Sequence, residues 1–268
     1  MNQINLALAQ THIIWEDKEK NYEKAAIAIE AAKRHDSDLI LFPEMSFTGF
    51  SMNTDITKEK DDITIQEMQS LASEYKIAIG FGWVKDCGAK CENHYTITDA
   101  SGTILSDYAK LHPFSYSGED EKFAGGSSVT AFTIHGIPFS NFICYDLRFP
   151  DIFQIVSRKS DVIILPANWP ASRSEHWKTL LKARAIENQV YILAINCEGS
   201  IGGLDYSGDS CVINPNGEVC TMLSGSEGNL YYTLCDDVST YREHFPVKND
   251  RRETLYTDLI KRSQNQES

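Results

Sequence analysis

The chain is short of positive charge: 25 Lys and Arg stand against 38 Asp and Glu, a formal net charge of −13 over 268 residues. Nucleic acid and anionic membrane would both repel such a surface, so neither is expected as a broad electrostatic partner. A small molecule fits better. Long apolar runs are missing too. No stretch approaches the roughly 18 apolar residues of a spanning helix, and the opening MNQINLALAQ has neither the basic n-region nor the apolar core of a signal peptide. The expectation is a cytoplasmic protein with no membrane segment. A disulfide framework is lacking as well, because the seven cysteines are odd in number and sit in apolar runs such as NFICYD, AINCEG and YYTLCDD; they read as thiols of a reducing compartment. Cys87, Cys91 and His94 are zinc-type ligands, but no second Cys or His pair stands at finger-like spacing. GWVKDCGAKCENHY therefore reads as a polar loop between strands, and no metal is expected.

What is present is an ordinary globular composition, 42% hydrophobic and 24% charged, enough for one domain over 1–268 with a large core. INLALAQ reads as a strand, 21–35 as a helix, and DLILFPE as a strand buried on both faces, since its apolar residues are consecutive. Then come a helix over 63–75, the strand KIAIGFGW, and a hairpin in HYTITDASGTILSDY around its DASG turn. The second half repeats this order. VTAFTIHGIPFSNFICYD gives a hairpin, 150–158 a short helix and DVIILPANW a strand; 176–189 is helical, VYILAINCEG a strand and SCVINPNGEVCTML a hairpin. DLILFPE and DVIILPANW correspond closely: Asp38 and Asp161 open them, and Pro43 and Pro166 fall at the same offset. Two such units with their sheets face to face predict a four-layer α-β-β-α sandwich. Residues 237–268 read as a tail packed on the domain or on a partner subunit.

Reactive groups in α/β sheets gather beyond the carboxyl ends of strands. Glu44 ends DLILFPE, Lys110 follows the first hairpin in SDYAKLHPF, and Cys144 ends FSNFIC. These three residue types meet the needs of amide hydrolysis. A thiol attacks well only as thiolate, which a carboxylate can generate and an ammonium can steady. The tetrahedral oxyanion calls for a cation and a backbone N–H, for which Lys110 and the N–H of Tyr145 are candidates. Glu44 can move protons in both half-reactions. Taken singly, Cys144 reads equally as a core thiol, Glu44 as a helix cap and Lys110 as a surface charge.

FPEMSFTGF around Glu44, DYAKLHPF around Lys110 and NFICYDLRFPDIF around Cys144 resemble, in order, the three signature segments of the nitrilase superfamily of carbon-nitrogen hydrolases. The resemblance extends through ILPANWPASRSEHWKTLLKARAIENQVYILAIN and YSGDSCVINPNGEV. It implies the four-layer sandwich, a Glu44–Lys110–Cys144 catalytic triad and a homodimer formed near the tail; the chemistry itself calls for no cofactor. It also implies a supporting role for Glu119 in KLHPFSYSGEDEKF, to orient Lys110 or the substrate amide, although Asp120 and Glu121 lie beside it.

NWPASRSEHW, SMN and YSGDS are most similar to the bacterial ω-amidase branch, related to mammalian Nit proteins, which implies a short α-keto acid monoamide such as α-ketoglutaramate as substrate. An Arg would suit its carboxylate; Arg173 is the first candidate, while Arg148, close in sequence to Asp146 and Asp151, is expected to hold its loop. Tyr145 and Trp169 are candidates for the pocket wall. The triad does not separate this reading from a nitrile, N-carbamoyl or formamide hydrolase. A non-catalytic binding protein on the same fold, and a Cys–His protease with His112 as partner, are the readings from other classes.

Overall fold

Continuous apolar runs such as DLILFPE need cover on both faces, and the chain provides it by setting two sheets back to back. The computed structural model describes residues 2–235 and 237–264. The first half runs β1 (Gln3–Gln10), α1 (Lys18–Arg34), β2 (Leu39–Leu41), α2 (Thr54–Thr57), β3 (Lys58–Glu59), α3 (Ile63–Tyr75), β4 (Ala78–Asp86), β5 (Cys91–Thr98) and β6 (Ile104–Ala109), followed by a short α4 (Glu119–Lys122). The second runs β7 (Phe132–Ile134), β8 (Ile137–Asn141), α5 (Pro150–Val156), β9 (Val162–Ala167), α6 (Ser174–Asn188), β10 (Tyr191–Asn196), β11 (Glu198–Ile201), β12 (Leu204–Ile213), β13 (Val219–Ser224) and β14 (Gly228–Cys235), then α7 (Val238–His244) and α8 (Glu253–Gln264).

Strand alternation sorts the side chains. Ile4, Leu6 and Leu8 of β1 and Leu39 and Leu41 of β2 join a core shared with the second sheet, whereas Ala7, Ala9, Ile40 and Phe42 face Ile29 of α1 and Met68 of α3. On the far side, Phe153 of α5 and Trp177 and Leu181 of α6 cover the second sheet. The result is the four-layer α-β-β-α sandwich expected from the sequence.

The repeat is visible in hydrogen bonds. Asp38 donates its N–H to Asn5 O (2.8 Å) and accepts from Ala78 N–H (2.9 Å); Asp161 donates to Pro138 O (2.9 Å) and accepts from Tyr191 N–H (2.9 Å). Each Asp thus ties the two strands that flank the one it opens. In each half three strands run parallel, β1-β2-β4 and β8-β9-β10, and an antiparallel hairpin continues the sheet. The antiparallel partner of β8 is β7, its neighbour in sequence. The corresponding partner of β1 is β14, from the far end of the chain. This strand was not foreseen in the sequence, and it closes the first sheet with the last strand to be made.

One other expectation changes. GWVKDCGAKCENHY is mostly strand, since β4 continues to Asp86 and β5 begins at Cys91, leaving a tight turn. Of the tail, α7 is docked on the second half: Val238 is buried, Tyr191 donates its hydroxyl to Asp237 Oδ1 (2.9 Å), and Arg242 pairs with Asp161 (2.5 Å). α8 has no buried residue. Among the described residues no helix is long and apolar enough to cross a membrane.

Leu234 is fully buried in the shared core and belongs to β14. Leu234→Ala should cost about 2–5 kcal/mol and lower Tm by roughly 4 °C or more, read by circular dichroism; an unchanged Tm would contradict the placement of β14.

Candidate active site

Three strand ends converge at one edge of the sandwich. Glu44 follows β2, where the chain turns sharply: Met45 has φ 42°, and Gly82 of β4 lies so close beneath that an added Cβ would stand 2.4 Å from the Met45 nitrogen. Only glycine permits that approach. The turn is fastened by Ser46, whose N–H donates to Gly82 O (3.0 Å) and whose hydroxyl accepts from Gly82 N–H (2.9 Å). Lys110 is the first residue after β6. Cys144 opens a 3-10 turn over Cys144–Arg148 with φ 45°, a strained value for a non-glycine residue.

Lys110, Glu44 and Glu119 form a buried cluster, each at most 1% exposed. The Lys110 ammonium donates to Glu44 Oε1 (2.8 Å) and to Glu119 Oε1 and Oε2 (3.1 and 2.9 Å). Glu44 Oε1 also accepts from Asn93 Nδ2 (2.8 Å), and its Oε2 accepts the Asn168 N–H (2.9 Å). Glu119 Oε2 accepts the Phe114 N–H (2.5 Å). Burial by itself would lower the Lys110 pKa, but the charges of Glu119 and Glu44 outweigh it and hold the pKa above the ordinary lysine value. Burial pushes Glu119 upward and Lys110 opposes the rise. Every contact to the Glu119 carboxyl comes from a donor, so the geometry suits the carboxylate.

Two carboxylates about one ammonium leave a net negative cluster facing Cys144. Burial, and then the charge of Glu44, push the Cys144 thiol well above its ordinary range, and Lys110 opposes them without prevailing. The resting cysteine is therefore a thiol with the Glu44 carboxyl group nearby. Asp146 holds the cysteine turn in place. Fully buried, it accepts from Tyr108 Oη (2.8 Å) and the N–H of Ile143 (3.1 Å) and His112 (3.0 Å), joining the turn to the chain on either side of Lys110. Buried Arg184 of α6 donates from Nε and Nη2 to Leu147 O (3.0 and 2.7 Å) and pins the other end.

A cavity of about 440 Å³ opens on this cluster, and Lys110, Cys144, Tyr145, Trp169 and Arg173 all line it. Glu44 and Glu119 lie behind that wall. Tyr145 packs on Phe114 (ring centroids 4.7 Å apart), and Trp169 donates its indole N–H to Arg173 O (2.8 Å). Arg148 departs from expectation: among the described residues it pairs with neither Asp146 nor Asp151, but lies over Trp169 (4.8 Å to the ring centroid) and lines the cavity. Asp146 is committed to the cysteine turn. Arg173 lies over Phe114 (5.4 Å) and likewise has no carboxylate partner among the described residues. His112 spends Nδ1 on Asp146 (2.7 Å) and stacks on Phe149, so it is engaged in holding the turn. His94 is held between Asp107 (2.9 Å) and Glu92 (3.0 Å), and among the described residues no group of three or more His, Cys, Asp or Glu stands ready for a metal ion. Asn93, Asn168 and Asp146 were not singled out in the sequence; only Asp146, two residues from Cys144, had a local signal.

A two-sheet sandwich with acid, ammonium and thiol gathered at its strand ends is an architecture of hydrolases that act through cysteine. The chain belongs to the carbon-nitrogen hydrolase family, which it matches over residues 5–243. It is 32% identical to the 2-oxoglutaramate amidase of Bacillus subtilis (94% of this chain, 98% of the relative) and 31% identical to an omega-amidase of Yersinia enterocolitica (93% and 97%). The solved structure of XC1258 from Xanthomonas campestris, a CN-hydrolase superfamily protein, superposes with a TM-score of 0.88 at 29% identity, covering 94% of this chain and 98% of that one. The protein is accordingly an amide-hydrolysing enzyme of the nitrilase superfamily.

Replacing Glu44 by Gln removes the charge that most raises the thiol after burial. The Cys144 pKa should fall in Glu44→Gln, read from ultraviolet thiolate absorbance against a Cys144→Ala blank; an unchanged or higher pKa would show that Glu44 does not set it.

Proposed function

We propose that the enzyme is an ω-amidase, hydrolysing the terminal amide of a short α-keto acid monoamide such as α-ketoglutaramate, with Glu44, Lys110 and Cys144 as its catalytic residues. The observation that carries the reading is the pair of guanidinium groups, Arg148 and Arg173, facing the cysteine cavity without acidic partners among the described residues. A carboxylate and its neighbouring carbonyl give them what the protein does not. The names of the relatives point the same way.

In this mechanism the Cys144 sulfur attacks the amide carbon as its proton passes to Glu44. The oxyanion is stabilised by Lys110 and the Tyr145 N–H. Glu44 returns the proton to the nitrogen, the C–N bond breaks, ammonia leaves, and the acyl group stays on sulfur as a thioester. Water then attacks, its proton going to Glu44, and collapse frees the acid and the thiol, which is reprotonated by Glu44. Glu119 acts by holding Lys110; Trp169 and Tyr145 wall the substrate.

The chain works as one domain, since Glu44, Lys110 and Cys144 come from both halves. The unpaired state of all seven cysteines supports a cytoplasmic location. Exposed Phe245, Tyr256, Leu259 and Ile260 support a homodimer in which the tail takes part. Light scattering after gel filtration should give a dimer, and a chain ended after residue 251 a monomer; a monomeric full-length chain would refute the pairing.

Ammonia release should be fastest from α-ketoglutaramate in a panel that includes a nitrile and an N-carbamoyl acid. Cys144→Ala should abolish it, and Arg148→Ala and Arg173→Ala should each raise KM by about tenfold or more. Faster release from either competitor would replace the ω-amidase reading, and full turnover by Cys144→Ala would remove the cysteine mechanism.

A further inference from the structure

Asn93 sits near the start of β5, and Lys110 donates its backbone N–H to the Asn93 carbonyl (2.8 Å). The side chain turns to the two acids: Nδ2 donates to Glu44 Oε1 (2.8 Å) and to Glu119 Oε1 (3.2 Å). The opposite amide orientation would set Oδ1 against two carboxylate oxygens, so electrostatics fixes the assignment. In the adopted orientation Oδ1 is buried without a hydrogen-bond partner. A buried acceptor left unpaired is unfavourable, and here it accompanies the placing of both N–H groups on the acids.

We infer that Asn93 is a positioning residue for amide hydrolysis: by giving one N–H to each Oε1, it lets Glu44 and Glu119 remain ionised together beside a single ammonium, keeping Glu44 ready to accept the Cys144 proton. The inference rests on the proposed role of Glu44 as the base. Among the described residues, the ionisable groups that face Glu44 are Lys110 after β6, Glu119 on α4, Cys144 after β8, Cys197 after β10 and Tyr206 on β12. Burial holds Cys144, Cys197 and Tyr206 neutral, leaving Lys110 as the cation for two acids. Two carboxylates sharing one site otherwise tend to retain a proton between them. A proton resting on Glu44 would block its first step.

The test is the pH profile of kcat/KM for the fastest amide of the panel, in the wild type, Asn93→Asp, Asn93→Ala and Glu44→Gln, with Tm measured for each. Asn93→Asp, nearly isosteric, adds a third acid and should move the acid limb upward by about one pH unit or more. Asn93→Ala should move it the same way by less. KM at the optimum should stay within roughly threefold in both, because the amide of Asn93 lies behind the cavity wall. A merely structural asparagine would lower Tm or kcat and leave the limb where it is, and that result overturns the inference. Failure of both Asn93 variants to fold would assign the residue to the fold and overturn it equally. An inactive Glu44→Gln with an unmoved limb in Asn93→Asp sinks the Asn93 role alone; full turnover in Glu44→Gln sinks the base assignment and this inference together.

Discussion

Lys110 carries a full charge at 1% exposure, and the surrounding structure depends on how that charge is balanced. An ion taken from water into a protein interior loses several kcal/mol of hydration. The loss is offset here only because Glu44 and Glu119 reach the ammonium at 2.8 and 2.9 Å. Those two acids come from different places, the end of β2 and the start of α4, so the balance holds only when the first sheet and the loop beyond β6 are both in place. Removing the Lys110 ammonium would leave two buried acids without their cation, a change that typically destabilises by about 3–5 kcal/mol.

The same cluster governs the cysteine. Burial first, and then the charge of Glu44, hold the Cys144 thiol protonated, and Glu44 is itself one of the acids that hold Lys110. Asp146 extends the coupling to the second sheet, because the residues it binds, Tyr108, His112 and Ile143, flank Lys110 on one side and precede Cys144 on the other. Acid and ammonium are set by one hydrogen-bonded cluster and the cysteine turn by another, and the backbone from Tyr108 to His112, which carries Lys110, joins the two. The strained φ values at Met45 and Cys144 fall in this region: both backbones bend just beyond the ends of their strands.

Much of this was legible before any fold was known. The run DLILFPE announced a strand covered on two faces, the helix over Ile63–Tyr75 was read to the residue, and the correspondence of Asp38 with Asp161 revealed the repeat, the two residues holding equivalent backbone positions between neighbouring strands in each half. Glu44, Lys110 and Cys144 are reactive residue types at strand ends, and the resemblance of their segments to the nitrilase signatures is what set them apart from core thiol, helix cap and surface charge. Asn93 and Asn168 did not stand out, because a neutral amide has no local pattern to distinguish a hub from a surface residue; what marks it is the atoms it meets. β14 was missed for a related reason. Its partner, β1, lies at the other end of the chain, and no nearby turn or hairpin advertises the pairing.

Arg148 shows where local reasoning misleads. Two acids within three residues suggested a local ion pair, yet Asp146 turns inward to fasten the cysteine loop, and the arginine lies over Trp169 beside the cavity. The sequence by itself determined the alternation of strands and helices, the twofold use of one unit, and the chemical types at the strand ends, because these follow from short-range periodicity and from residue identity. Only the tertiary structure decided which charges face one another, which donors each acid receives, and which cations stay unpaired. Hydrogen bonds and Coulomb interactions depend on distances of a few ångströms between residues far apart along the chain, and those distances exist only once the two sheets have closed.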